Sequence, residues 1–380
     1  MRPLLSTDVE KRCVDEAGGT WILSVDDVRG TARLCSLSES ALVLETTLAV
    51  RVGQVLTLQG RDDIARRDLA FEAQVVQVEA IGAVVRLHCL PCETCNGGQW
   101  PREVKHLCQR LRVDQAIAEA GEQPDHQPRC PASELHSSAP VLLGQAKSID
   151  DREAAYRLVY GAYFRKGLAA PAQNGLYTNS FLLNPQTVTF VGKVEGEVAM
   201  TLTSIPDSVA ALPMDAVFED CLAPLRKQGR RLVEFGMLAV STEHFGAMNY
   251  SIHDPERMLC VYSLFRIALQ HAKFTRGCTD VVFAVPPKHQ ALYRFMGVSA
   301  ISEVRYYSNY NTPAVAIRID LLSLELRPHV RQFLFGNPMA QLQDIGLTEW
   351  SVQALARLFG SGAVQGAPQD VAAHFNSETQ

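Results

Sequence analysis

A chain of 380 residues, 47% of them apolar, is too long for one ordinary domain and too rich in core material to be disordered or collagen-like. A net charge of −5 weighs against the broadly basic surface of a general nucleic-acid binder. No stretch of about 18 uncharged apolar residues occurs, and Asp8, Glu10, Lys11 and Arg12 interrupt the N-terminal segment; the expectation is a cytoplasmic protein with no transmembrane segment, whose ten cysteines are thiols or metal ligands.

Residues 20–113 read as strands. GTARLCSL, SALVLET, QVLTLQG, FEAQVVQVEA and GAVVRLHCL run apolar or alternate, with β-branched residues and polar punctuation. Five short strands at this spacing predict a small antiparallel β-barrel. REVKHLCQRLRV then sets Val104, Leu107 and Leu111 at helical spacing, which predicts a closing helix. In HCLPCETC, Cys89, Cys92 and Cys95 recur at three-residue steps, with His106 and Cys108 further on. Zinc takes four N or S ligands in a tetrahedron, and Cys89, Cys92, Cys95 and Cys108 offer such a set. The competing reading is a group of reduced thiols at a strand–helix junction. No other cofactor is expected.

Residues 114–146 are rich in Pro, Gln, Ser and Ala and read as a linker. Over 147–322 helices and strands mix. SIDDREAAYRLVYGAYFRKGL opens with acids suited to a helix start. TVTFVGKV and EVAMTLTSI are strands joined at Glu195-Gly196, a hairpin signal. DAVFEDCLAPLRKQG is helical and RRLVEFGMLAVS a strand. ERMLCVYSLFRIALQHAKFTRG is a long helix stopping at Gly277. DVVFAVPP, KHQALYRFMG, SAISEVRYYS and PAVAIRIDLL follow as strand, helix and closing strands. Residues 323–380 read as a helical extension, LTEWSVQALARLFG, and a small polar tail.

The first block resembles a PilZ domain, through RGTARLCSLSESALVLETTLAVRVGQVLTL and FEAQVVQVEAIGAVVRLHCL. Of that family's hairpin motif Ser38 is kept, while Ser36 stands for the acid or amide and Ala41 for the glycine. Arg29 and Arg33 have the spacing of the family's arginine clamp but lie on the strand itself. The resemblance implies cyclic-di-GMP as a ligand, held by Arg29, Arg33 and Ser38; a degenerate barrel used for packing is the competing reading.

The second block resembles GNAT-type acyltransferases, and more narrowly the long-chain N-acyl amino acid synthases of FeeM type. Four pieces carry this: REAAYRLVYGAYFRKGL, TFVGKVEGEVAMTLTSIPDSVAALPMD, GRRLVEFGMLAVS and DVVFAVPPKHQALYRFMGVSAISE. The implied reaction moves a fatty acyl group from acyl-carrier protein to the amine of an amino acid. An ammonium must lose a proton, a thioester carbonyl must be polarised and a thiolate must be protonated. Glu234, between apolar neighbours on an inner strand, is the candidate base; a carboxylate paired with Arg230 or Arg231 is the alternative. Tyr293 matches the tyrosine that many GNAT enzymes place near the thioester sulfur, and packing is its alternative role. Arg157 and His289 are candidate substrate contacts, and Met237 occupies the segment where relatives often carry an arginine.

Ser241 to Pro255 lacks the glycine-rich pyrophosphate turn of acetyl-CoA users, which favours a carrier-protein donor. Arg226, Lys227, Arg230 and Arg231 form a basic cluster that could meet one. Phe218, Phe235, Met237, Val261, Phe265 and Phe283 line an acyl tunnel or fill a core. The expected architecture is thus a PilZ-like β-barrel followed by an α/β GNAT-like domain. The rival expectation is an inactive sensor built on the same two folds. An acyl-lactone signal synthase is a weaker one, since no adenosylmethionine pocket is identifiable.

Overall fold

The computed structural model describes residues 20–337 and 357–359, apart from residues 27, 39, 63, 65, 94–96, 124–125, 130–138, 247–253 and 308–311. The first block is a closed antiparallel barrel, with strands in the order β1-β2-β3-β6-β5-β4. They are β1 (Trp21–Val25), β2 (Val28–Leu37), β3 (Leu42–Thr46), β4 (Val55–Asp62), β5 (Arg67–Ile81) and β6 (Val84–Pro91). Sequence reading gave five strands and missed β1. Its five residues alternate, Trp21, Leu23 and Val25 facing in and Ile22 facing out. Pairing with both β2 and β4 is what closes the barrel.

Helix α1 (Arg102–Glu122) corrects the linker assignment. Val104, Leu107, Cys108 and Leu111 of its first half pack into the barrel core. Val113, Ile117 and Ala120 of its second half belong to the core of the following domain. A helix advances about 1.5 Å per residue, so α1 is one rod buried at both ends in different domains. Gly121 permits the closest approach, since a Cβ there would lie 3.1 Å from the Phe333 backbone nitrogen. Residues 141–145 of the assigned linker form β7, the edge strand of the second sheet.

The cysteine cluster is drawn toward packing. Cys89 and Cys108 are part of the barrel core, and Cys92 is buried beside them. The Cys108 thiol donates to the Ser38 carbonyl at 3.2 Å. Burial pushes the Cys89 thiol up to about 12. Among the described residues no three His, Cys, Asp or Glu side chains are grouped to hold a metal ion, and Cys95 lies outside the described residues. Cys89 is expected to resist iodoacetamide in the folded chain at pH 8 and to react fully in denaturant; peptide mass spectrometry reads both.

The second block is a seven-stranded sheet in the order β12-β13-β11-β10-β9-β8-β7. Its strands are β7 (Val141–Gln145), β8 (Val188–Val194), β9 (Glu197–Pro206), β10 (Leu232–Val240), β11 (Asp280–Val285), β12 (Arg305–Tyr307) and β13 (Thr312–Asp320). Helices α2 (Ile149–Phe164) and α3 (Asp215–Lys227) cover one face, each with its own apolar cluster. Helix α4 (Pro255–Gln270) covers the other, with α5 (Gln290–Met296), α6 (Pro328–Phe335) and the end of α1. Ser148 and Asp254 cap α2 and α4 by accepting from the backbone amides of Asp151 and Arg257. This is the GNAT-like fold that the element order leads one to expect. No helix among the described residues is long and apolar enough to cross a membrane. The proposed helix in LTEWSVQALARLFG lies outside the described residues except for 357–359, which are helical.

Candidate active site

Strands β10 and β11 are parallel and pair at Leu232↔Asp280, Val233↔Val281 and Glu234↔Val282. Their ladder stops there, although β10 runs on to Val240 and β11 to Val285. The sheet therefore opens at Glu234. Just beyond, β10 carries a bulge against β9, where Met237 and Leu238 oppose one residue between Gly236↔Thr203 and Ala239↔Thr201. Met237 takes a left-handed φ of 54°, uncommon for a residue with a side chain.

The extra residue reverses the strand's alternation. Val233 and Phe235 face α4, whereas Met237 and Ala239 pack under α2. A flat strand would have sent Met237 into the α4 core with Phe235. Beyond Glu234 the β10 backbone is thus unpaired with β11, and a strand edge of that kind is a place where backbone amides can polarise a carbonyl oxygen.

Glu234 alternates with Leu232 on the α3 face and is only 6% exposed. Its Oε2 accepts the Met214 amide at 2.8 Å, at the start of α3. Burial pushes this carboxyl up to about 8; the Met214 hydrogen bond opposes the shift and the charge of Asp215 adds to it. The alternative of a pair with Arg230 or Arg231 is not what the structure shows. Arg230 contacts Asp280 at 2.9 Å and also Asp320.

Tyr307 is a neighbour that sequence reasoning missed. It lies close enough for the Glu234 charge to add to the burial that raises its hydroxyl pKa, and its ring meets Phe218 edge-on at 6.3 Å. Nothing in SEVRYYS marks it, because β12 reaches this site through its pairing with β13 and through Arg305, which bonds Val217 and Asp220 of α3. Asp207, Asp215 and Arg226 form a second unit, in which Arg226, read from the sequence as one of a basic cluster, is paired with acids. Arg226 bridges the two carboxylates, each with a 2.6 Å contact.

The other candidates are placed as follows. Tyr293 is 4% exposed, with its ring 4.7 Å from Phe283 and 6.4 Å from Phe265 in the α4-side core. The structure does not put it on the face that holds Glu234. Phe235, Val261, Phe265 and Phe283 fill that same core, while Phe218 belongs to the α3 cluster. His289, before α5, is pushed down to about 4 by burial, helped by Lys166 and Lys288, so it is neutral at ordinary pH. Arg157 pairs with Glu153 at 2.8 Å on its own helix and donates to the Asn174 carbonyl at 3.3 Å.

In the barrel, Arg33 and Arg86 both grip Glu45, at 2.5 and 2.7 Å, and hold its carboxyl down to about 2. Ser38 closes the β2–β3 turn, accepting the Ala41 amide at 2.9 Å. Arg29 is exposed on β2, opposite Ser24. Arg33 is thus committed to a carboxylate, and the structure shows no arginine clamp assembled from Arg29 and Arg33.

Residues 154–320 match the family model described as N-acyl amino acid synthase FeeM. Among solved structures, FeeM from uncultured soil microbes is 25% identical, aligned over 49% of this chain and 94% of its own, with a TM-score of 0.42. The acyl-homoserine lactone synthase LasI is 14% identical over 53% of this chain and 96% of its own, at 0.36. The CoA-dependent acyl-homoserine lactone synthase BjaI is 15% identical over 58% and 98%, at 0.38. No curated protein matches. The matched segment is an N-acyltransferase domain.

Proposed function

We propose that this chain joins a fatty acyl group, carried as a thioester on an acyl-carrier protein, to the amine of an amino acid. The observation that carries the reading is Glu234. It is a buried carboxyl raised to about 8, placed where β10 and β11 part, within a segment matching an N-acyl amino acid synthase family. An acceptor ammonium entering the gap gives its proton to Glu234. The freed amine attacks the thioester carbonyl, whose oxygen the open edge of the bulged strand stabilises, and the carrier thiolate departs with a proton. A carboxyl raised to this value is a stronger base than a solvated glutamate; at neutral pH most of it is protonated, and the minor ionised form is the one that accepts the proton.

Tyr293 is assigned the proton for the leaving thiolate, a role that requires its ring to leave the Phe283 contact when the carrier arm enters. Tyr293→Phe keeps that ring, so kcat is expected to fall about tenfold while unfolding free energy stays within about 1 kcal/mol. Steady-state turnover with purified acyl-carrier donor, beside a urea melt, checks both.

The decisive test is mass spectrometry of lipid extracts from cells expressing the wild type or Glu234→Gln. N-acyl amino acids accumulating with the wild type alone support the reading. Equal accumulation with both removes Glu234 as the base. No new lipid from either folded protein, in a host with long-chain acyl-carrier donors, overturns the synthase reading.

We further propose that the barrel modulates the enzyme. Arg294 of α5, next to Tyr293, donates to the Ile64 carbonyl in the β4–β5 loop at 2.8 Å, and Ile64 packs on the catalytic domain's core. Movement of that loop therefore acts directly on the helix carrying Tyr293. Cyclic-di-GMP remains a candidate signal through Arg29, Arg33 and Ser38, and would have to displace Arg33 from Glu45.

A further inference from the structure

A groove of about 730 Å³ lies at the end of the sheet opposite the β10–β11 opening, where β10 and β11 begin and β9 ends. Four arginines line it, with Asp207 as the acidic lining residue. Two of the four are compensated, Arg226 by Asp207 and Asp215, and Arg230 by Asp280 and Asp320. The guanidinium groups of Arg231 and Arg276 are not. Neither has a hydrogen bond or ion pair to a carboxylate among the described residues.

The chain holds these two cations together. The Arg231 guanidinium rests on Gly277, the residue after Arg276; a Cβ at Gly277 would come within 2.9 Å of its Nη2. Gly277 has a φ of +60°, so glycine is suited here both for its backbone and for the space it leaves. Both guanidinium groups act on the same thiol, Cys278, lowering its pKa against the larger upward effect of burial. Burial also lowers the pKa of Arg276, as expected of a cation short of a counter-ion.

A second observation is independent of these charges. His271 lines the same groove, is 1% exposed, and has no hydrogen-bond partner on either ring nitrogen. Burial and Arg276 push it down to about 4, so it is a neutral ring with one donor and one acceptor unused. A buried polar group left unsatisfied is costly, and a bound molecule can recover that cost.

We infer that this groove binds a phosphorylated small molecule, with the phosphate between Arg231 and Arg276 and a polar part of its organic body against His271. Two neighbouring guanidinium groups match a dianion with several acceptor oxygens. The volume falls in the range of small-molecule sites, far more than an isolated phosphate fills. Gln186 and Ser208 supply neutral polar groups elsewhere on the wall. The inference is independent of the acyl-transfer reading, because the groove lies at the other end of β10.

Isothermal titration of the full chain at fixed ionic strength tests it, with adenosine 5′-monophosphate, inorganic phosphate and malonate as probes. The expected result is saturable binding of the nucleotide, weaker binding of inorganic phosphate and none of malonate. Arg231→Gln/Arg276→Gln is expected to raise the nucleotide Kd at least tenfold, and Arg51→Gln on the barrel surface to leave it unchanged. Should the double variant not fold, Gln186→Glu, which brings a carboxylate to the groove from an exposed position, is expected to weaken binding at least threefold. No saturable nucleotide binding overturns the proposal, as does equal affinity in the variants. Malonate bound as tightly as the nucleotide overturns the assignment to phosphate.

Discussion

Glu234→Gln is expected to lower N-acyl transfer by about 10²–10⁴-fold, the usual contribution of a positioned general base. Gln keeps an oxygen to accept the Met214 amide, so the loss reports the missing proton acceptor and not a broken α3 start. The wild-type rate should rise with pH through about 8 as Glu234 ionises, and the residual rate of the variant should lack that limb. Initial rates from pH 6 to 9.5 with saturating donor measure both. A flat wild-type profile with unchanged activity in the variant would remove Glu234 from the chemistry.

The same residue sets a stability trend of defined sign. The carboxyl is raised in the folded state, so from the ordinary value of 4.5 up to about 8 the unfolded chain ionises while the folded chain holds its proton. Stability from this group is complete below the unfolded value and is lost as pH rises through the folded one. At about 1.4 kcal/mol per unit, the difference amounts to a few kcal/mol. Urea melts of the wild type should therefore lose ground between pH 5 and 8 relative to Glu234→Gln.

Asp114→Ala is expected to destabilise the chain by about 3–5 kcal/mol, with loss of the coupling between its two domains. Asp114 is 1% exposed in the middle of α1 and meets Arg327 at 2.7 Å and His329 at 2.8 Å. Removing it takes the Asp114 carboxylate away from Arg327 in a largely buried site. The defect falls between the half of α1 buried in the barrel and the half buried against α4 and α6. Denaturant unfolding should show a lower midpoint, with barrel and acyltransferase signals no longer coincident. Asp114→Asn, which keeps the size but not the charge, should cause a smaller loss of the same kind.

Much of this was legible in the residues. Period-two alternation marked β2 to β6, because a half-buried strand leaves that imprint on any sequence. Caps and apolar spacing marked α2 and α4 for a similar reason. Glu234 stood out because a carboxylate between Leu232, Val233 and Phe235 is costly unless it has a purpose or a partner. Each of these signals is local, written within one element.

What the sequence hid depends on more than one element. The 114–122 half of α1 is polar enough to resemble a connector, and its apolar positions gain meaning only against Phe333 and the α4 surface. The cysteine spacing does not reveal that Cys89 alternates into the barrel core or that Cys108 turns to Ser38, since strand and helix decide both. Tyr293 and Glu234 lie on different faces of the sheet, a placement decided by strand alternation and by where α5 docks.

By itself, then, the sequence determined two domains, their strand and helix periods, and an apolar strand carrying one acid. The tertiary structure decided which side chains share a face, which cations find carboxylates and where the sheet opens. The physical reason is range. Periodicity and capping act over a few residues, whereas burial, ion pairing and the pKa of Glu234 arise from groups brought together across the sheet.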